Sequence, residues 1–213
     1  PSADQKRYGL SEKGFGFRWD EFDERFDATR HPNEINRFGW VVEIDPWNPE
    51  QAPVKRTALG RFKHEGATVT LARDGRVVVY MGDDERFEYV YKFVSRDRFR
   101  SHSPGNANLL DDGTLYVARF EDDGKGRWLA LRHGEKHENG ALTADNGFPS
   151  QGEVVIRCRQ AADLAGATKM DRPEWIAVHP QSGEVYVTLT NNAKRGTPEV
   201  PGLNAANPRA ENT

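Results

Sequence analysis

The chain is poor in cysteine and has no long apolar run. Cys158 is the only cysteine among 213 residues, so no internal disulfide can form, and we expect a buried thiol there. The longest apolar run, residues 77–81, is far shorter than the roughly 18 residues of a membrane-spanning helix. Nothing at the N-terminus resembles a signal peptide. The sequence therefore predicts no membrane segment.

A large excess of charge of one sign is also absent. Thirty basic residues nearly balance 33 acidic ones, and the formal net charge is −3. This balance favours neither nucleic acid nor an anionic membrane as a partner. With 36% hydrophobic and 30% charged residues, the composition is typical of a soluble globular chain with a sizeable core.

Several catalytic signatures are missing as well. The sequence contains no glycine-rich phosphate loop before a helix, no cysteine pair, no histidine pair at metal spacing and no nucleophile elbow. Chemistry through a serine or cysteine nucleophile therefore has no support.

What the chain does contain is a recurring unit of strand, tight turn and strand. The unit occurs in residues 68–80, 108–117 and 175–187, with further strands at 88–94 and 127–131. Propeller blades repeat roughly every 35 to 45 residues. Gly75 and Gly113 are about one such period apart, and Gly113 and Gly183 are about two. Only residues 160–165 have a helical pattern, which ends at Gly166. We predict an all-β propeller that does not close within this chain.

The N-terminal part is more aromatic. Trp19, Phe22 and Phe26 fall at helical spacing, so a short helix is expected at residues 19–26. Its aromatic face is interpreted as docking onto a sheet, with ligand binding as the alternative. Residues 40–45 are predicted to form a strand that ends at Pro46.

The most informative segment, residues 170–192, carries charged side chains on a turn before a hairpin. Arg172 lies between Asp171 and Glu174, beside a proline that restricts the backbone. A guanidinium fork matches phosphate oxygens, whereas a structural ion pair is the alternative interpretation.

Acidic residues also recur next to other predicted strands. They are Glu65, Asp83 and Asp84, and carboxylates of this kind from separate blades can converge on a hard cation such as calcium. His64 is a candidate donor that orients Glu65, whereas His179 is interpreted as an ordinary turn residue.

Six stretches together carry a family resemblance. They are residues 36–46 (NRFGWVVEIDP), 61–67 (RFKHEGA), 79–93 (VYMGDDERFEYVYKF), 113–120 (GTLYVARF), 170–176 (MDRPEWI) and 189–192 (LTNN). In these the chain resembles the PhoX family of bacterial alkaline phosphatases. The resemblance implies a six-bladed propeller, exported by the twin-arginine route to the periplasm or beyond. It also implies hydrolysis of phosphomonoesters with ferric iron, Fe(3+), and calcium, Ca(2+), joined by a bridging oxo group.

The same resemblance implies roles for individual residues. Glu65 and Glu174 would be metal ligands, and Arg172 would hold the substrate phosphate. Asp83, Asp84 and Asp171 also match family motifs, and their contact with metal or substrate is left open. Cys158 lies in a different motif from the family's iron-ligating cysteine, and residues 100–106 are shortened relative to the family pattern.

We therefore expect a metal-dependent phosphomonoester hydrolase. Residues 1–213 are expected to form a single partial domain, the inner part of a longer monomeric chain, with little activity alone. Two alternatives stay open. One is a noncatalytic, calcium-stabilised propeller module that binds a protein or glycan, and the other is a calcium-dependent hydrolase of another ester.

Overall fold

Strands dominate the protein, whose computed structural model describes residues 1–14, 16–198 and 200–210. The strands are β1 (Val42–Glu43), β2 (Val54–Lys55), β3 (Thr68–Leu71), β4 (Arg76–Gly82), β5 (Val90–Arg98), β6 (Gly113–Phe120), β7 (Gly126–Ala130), β8 (Lys136–His137), β9 (Gly140–Ala141), β10 (Pro173–Val178) and β11 (Val185–Leu189). The α-helices are α1 (Ala3–Arg7), α2 (Gln151–Ile156) and α3 (Cys158–Ala165). The expectation of a mainly β fold is confirmed. No helix among the described residues is long and apolar enough to span a membrane.

A five-stranded antiparallel sheet, in the order β3-β4-β5-β6-β7, forms the centre. Because side chains alternate along a strand, β4 presents Val79 and Met81 to one face and Val78 and Tyr80 to the other. The Val79 face packs against α2 and α3 in the larger apolar core. On the opposite face, Tyr80 belongs to a second cluster that includes residues of the β10–β11 hairpin. The hairpin that carries the charged turn is therefore fixed against the sheet.

The start of α2 and the end of α3 are each set by a capping residue. The side chain of Ser150 caps α2 by accepting a hydrogen bond from the backbone of Glu153. Gly166 ends α3 in the left-handed conformation, as the sequence indicates. Cys158 of α3 is a buried free thiol, as expected, and its Sγ donates to the carbonyl of Arg61 at 3.0 Å.

The interpretation of the glycine repeat needs correction. Units 68–80 and 108–117 lie in the same sheet, so they are not successive blades. The first strand expected in unit 108–117 is absent: residue 108 ends a short 3-10 helix, Pro104–Asn108, and residues 109–111 form a turn. Gly113 is required at the start of β6 because a side chain there would collide with the backbone of Val94, and not because a hairpin turns there. The hairpin turns at Gly75 and Gly183 are confirmed.

The N-terminal aromatic segment also differs from expectation. Two separate 3-10 helices, Trp19–Glu21 and Glu24–Phe26, replace the predicted single helix. Phe22 is 88% exposed, whereas the rings of Trp19 and Phe26 pack on each other at 5.4 Å between centroids. Trp19 and Phe26 thus pack on each other, and Phe22 faces solvent. The strand predicted at residues 40–45 is shorter than expected. Only Val42 and Glu43 form β1, because only these two residues pair with β2.

Candidate metal and phosphate site

The candidate site lies where the end of β4 meets the start of β10. A Cβ atom at Gly82 would lie 2.7 Å from the carbonyl oxygen of Glu174 and 3.0 Å from that of Pro173. Only glycine allows the two backbones to approach so closely. The contact brings the loop after β4, which carries Asp84, beside Arg172 and Glu174.

Three carboxylates converge at this junction. Glu65, Asp84 and Glu174 each offer one oxygen, and the three oxygens lie within 4.8 Å of one another. Backbone hydrogen bonds set this arrangement: Glu65 N donates to the carbonyl of Gly82 at 3.3 Å, and Asp84 N donates to that of Lys63 at 3.0 Å. The structure therefore brings together the two predicted ligands, Glu65 and Glu174, and places Asp84 with them.

Arg172 lies against this cluster. Its Nε and Nη2 donate to the two carboxylate oxygens of Asp84 at 3.0 and 3.1 Å, and Nη2 lies 3.5 Å from Oε1 of Glu174. The hydrogen bond to Asp84 raises the pKa of the Arg172 guanidinium, so the side chain is cationic at any working pH. About a third of the side chain is exposed, which leaves the guanidinium accessible from solvent.

The backbone of Arg172 is held in an uncommon conformation. Its φ of 33° lies in the left-handed direction, which L side chains other than asparagine and aspartate rarely adopt. The carbonyl of Arg172 accepts a hydrogen bond from Thr190 N at 3.2 Å. The hydroxyl of Thr190 donates to Oε1 of Glu174 at 2.7 Å and thereby orients that carboxylate.

Asp83 is placed elsewhere, although it directly precedes Asp84. It is buried and accepts two hydrogen bonds from Arg159, at 2.7 Å from Nε and 2.6 Å from Nη2. Burial raises the pKa of the Asp83 carboxyl, although the Arg159 guanidinium favours its charged form. Asp83 therefore faces the interior, outside the carboxylate cluster.

Asp171 is buried too. Its carboxylate accepts hydrogen bonds from Asn192 Nδ2 at 2.8 Å and from Arg195 Nε at 2.5 Å. Like Asp83, it forms an internal ion pair and lies outside the cluster of Glu65, Asp84 and Glu174.

Neither His64 nor His179 belongs to the carboxylate cluster. His64 Nε2 pairs with the carbonyl oxygen of Gly60 at 3.0 Å, and its Nδ1 has no hydrogen-bond partner in the described part of the chain. Burial lowers the pKa of His64 to about 4, so the ring is neutral. The expectation that His64 orients Glu65 is therefore wrong. His179 accepts hydrogen bonds from the backbone of the β10–β11 turn, as expected for an ordinary turn residue.

Sequence reasoning missed the supporting residues of the site. Thr190 lies in the LTNN stretch, one residue beyond β11. Its hydroxyl at a strand end could have indicated a hydrogen bond to a site residue. Arg159 and Arg195 carried no such signal, because their aspartate partners are far away in the sequence.

Comparison with known proteins adds to this geometry. A family model described as alkaline phosphatase PhoX matches residues 1–213. A solved structure of Pseudomonas fluorescens PhoX, in complex with vanadate as a transition state analogue, is similar with a TM-score of 0.92 and 54% sequence identity. The match covers 100% of this chain and 37% of that one, so the chain spans little more than a third of the Pseudomonas protein. None of the curated proteins matches the chain.

Proposed function

Because the chain belongs to the PhoX family of alkaline phosphatases, we propose that it carries part of the active site of a metal-dependent phosphomonoester hydrolase. The observation that carries the proposal is the position of Arg172, an accessible cation, at the edge of three converging carboxylates. The vanadate bound to the similar Pseudomonas protein supports a phosphate ester as the substrate.

The three carboxylates fit a hard cation. Oxygens bound to one calcium ion lie about 2.4 Å from it, so any two of them are at most about 4.8 Å apart. The oxygens of Glu65, Asp84 and Glu174 meet this limit without rearrangement of the backbone. Carboxylate ligands suit calcium, and family membership supports iron as the second metal. We therefore assign Glu65 and Glu174 as ligands and add Asp84 to them.

Cations bound at these carboxylates would neutralise charge on the phosphoryl oxygens of the substrate. The residues of the chain provide the other contributions. Arg172 has a planar fork of donors that matches two phosphate oxygens, and in the structure Asp84 occupies that fork. Exchange of Asp84 for substrate oxygens lets Arg172 bind the phosphate. Its hydrogen bonds strengthen as charge accumulates on those oxygens, which stabilises the transition state.

The remaining parts of the proposal concern the whole protein. We place the central sheet and the β10–β11 hairpin in a six-bladed β-propeller, for which the similarity to the Pseudomonas protein is the support. Family resemblance supports export to the periplasm or the medium and a monomeric state. Since this chain matches only 37% of the Pseudomonas protein, we expect residues 1–213 alone to have little phosphatase activity. Robust turnover by that segment would contradict this expectation.

The direct test uses Arg172→Ala and Glu174→Gln in the full-length protein, with a chromogenic phosphomonoester as substrate. Both variants should lose most of their turnover, and Glu174→Gln should also lose bound metal. Arg127→Ala is the matched control. Arg127 lies on β7, the edge strand of the central sheet, and forms an exposed ion pair with Glu121. Undiminished turnover and metal content in both site variants would refute the assignment.

A further inference from the structure

Two buried arginine–aspartate pairs, Arg159–Asp83 and Arg195–Asp171, adjoin the candidate site. In each pair the aspartate directly precedes a site residue: Asp83 precedes Asp84, and Asp171 precedes Arg172. We propose that Arg159 and Arg195 are positioning residues, which hold Asp84 and Arg172 in place through these aspartates. The inference rests on the proposed function of the site and adds two residues to it that do not contact the carboxylate cluster.

The first pair fixes two of the three converging carboxylates. Arg159 donates to both carboxylate oxygens of Asp83. Oδ1 of Asp83 also accepts a hydrogen bond from Lys63 N at 3.2 Å, while the carbonyl of Lys63 accepts one from Asp84 N at 3.0 Å. Asp83 therefore binds the backbone of Lys63, which leads to Glu65 and whose carbonyl accepts the hydrogen bond from Asp84 N. A shift of Asp83 displaces both ligands together.

Arg159 is buried away from solvent and substrate. Its side chain is 2% exposed, and its Nη1 donates to the carbonyl of Arg7 at 2.8 Å. Each of the three guanidinium nitrogens thus donates a hydrogen bond inside the protein, to Asp83 or to the N-terminal segment. Arg159 acts on the site only through Asp83.

The second pair holds the strained residue. Arg195 is fully buried and donates to Asp171 through Nε, to the carbonyl of Gly202 at 2.7 Å through Nη1, and to that of Lys169 at 2.7 Å through Nη2. The backbone N–H of Asp171 donates in turn to Asn207 Oδ1 at 3.1 Å.

Hydrogen bonds therefore fix both the backbone N–H and the carboxylate of Asp171. This residue immediately precedes Arg172, whose φ is 33°. Such a conformation persists only where the surrounding contacts over-determine it. The contacts of Asp171 meet that condition, and so they set the direction in which the Arg172 side chain leaves the backbone.

The two pairs are also joined to each other. Phe87 N donates to the carbonyl of Met170, and Met170 N donates to the carbonyl of Glu88, both at 2.9 Å. The guanidinium of Arg195 lies over the Phe87 ring, 5.1 Å from its centroid. These contacts connect the loop after Asp84 to the segment before Arg172. They thereby hold Asp84 and Arg172 at hydrogen-bonding distance.

The test compares Arg159→Lys and Arg195→Lys in the full-length protein. Lysine keeps the positive charge but cannot reproduce a planar two-pronged contact. Arg159→Lys should weaken calcium binding by about tenfold, and Arg195→Lys should weaken the binding of inorganic phosphate by about tenfold, the scale typical of supporting residues around a metal site. Both affinities are measured by calorimetry, calcium on chelator-treated protein and phosphate on the metal-loaded protein.

Arg56→Lys is the matched control. Arg56 is also buried, and it pairs with Glu43 and Asp111 at 2.8 Å, but these residues lie on β1 and before β6, away from the site. Its variant should lose thermal stability while both affinities stay within twofold of the parent protein. An equal loss of affinity in Arg56→Lys would mean that general destabilisation, and not positioning, is responsible.

If a lysine variant does not fold, Asp83→Asn or Asp171→Asn replaces it, because asparagine keeps the shape and one acceptor oxygen. Unchanged affinities in the folded variants would overturn the inference. Failure of the proposed function is recognised separately: the parent protein would then not hydrolyse a phosphomonoester, whereas the calcium titrations still report whether Arg159 positions the carboxylates.

Discussion

The guanidinium group of Arg172 holds the carboxylate of Asp84 by two nearly equal hydrogen bonds, at 3.0 and 3.1 Å. The same carboxylate lies within 4.8 Å of oxygens from Glu65 and Glu174. Asp84 is therefore shared between a cation of the protein and a potential metal site. Its removal should affect both metal and phosphate binding, whereas removal of Arg172 should affect phosphate more.

Asp84→Asn tests this shared role. The substitution removes one negative charge from the cluster and one of the two oxygens that accept hydrogen bonds from Arg172. Metal content should therefore fall, and phosphatase turnover should drop by about tenfold or more. Metal analysis and steady-state kinetics on the full-length protein measure the two effects. Asp123→Asn is the control, since Asp123 forms an exposed pair with Lys125 in the turn before β7. Full metal content and turnover in Asp84→Asn would remove Asp84 from the site.

The close approach of Gly82 to β10 gives a second prediction. In Gly82→Ala the new methyl group would lie 2.7 Å from the carbonyl of Glu174, so β10 must move. Overpacking of this kind destabilises a fold by about 1 to 3 kcal/mol, and here it also separates Asp84 from Arg172 and Glu174. We expect a lower thermal midpoint together with a loss of turnover at temperatures where the variant is folded.

Gly105→Ala provides the comparison for that variant. A Cβ atom at Gly105 has its nearest neighbour at 3.5 Å, the hydroxyl oxygen of Ser103, in a surface 3-10 helix. This variant should keep both stability and turnover. If Gly82→Ala behaves in the same way, the β4–β10 contact does not position the site.

These tests also show which features the sequence could predict. Alternation of apolar residues identified most of β11, and apolar stretches next to glycine-containing turns identified most of β4, β5 and β6, because strands impose these patterns on their own residues. Family motifs identified Glu65 and Glu174, which the fold brings together. The pairing of Arg159 with Asp83 depends on how α3 packs on the sheet, and no local pattern encodes such packing. The short helix α2 was missed because β-branched valines have a low helix propensity, whereas burial of Val154 in the core stabilises the helix.

The buried thiol of Cys158 leads to a prediction about alkaline pH. Burial raises the pKa of this thiol to about 11, whereas an unfolded cysteine has a pKa of about 8.5. Above pH 8.5 the unfolded state releases a proton that the folded state keeps, so stability falls as the pH rises towards 11. The slope from this group is at most about 1.4 kcal/mol per pH unit.

Cys158→Ala isolates that contribution. The variant should be less stable near pH 7, because a buried side chain in α3 is truncated. Its deficit relative to the parent should shrink between pH 8.5 and 11, since only the parent carries the thiol. Chemical denaturation of residues 1–213 at several pH values measures the difference. A deficit that stays constant across this range would show that the folded thiol titrates like a free one.

The last prediction separates the phosphatase from its two alternatives. A noncatalytic propeller module would hold calcium alone, because carboxylates such as Glu65 and Glu174 suffice for a structural hard cation. The phosphatase should hold iron together with calcium and should hydrolyse phosphomonoesters faster than phosphodiesters. A diester leaves one less anionic oxygen for the donors of Arg172, so its transition state gains less from that contact. Elemental analysis and paired rate measurements on the full-length protein decide the matter: iron with a preference for monoesters supports the phosphatase, and calcium alone with faster diester turnover supports the other hydrolase.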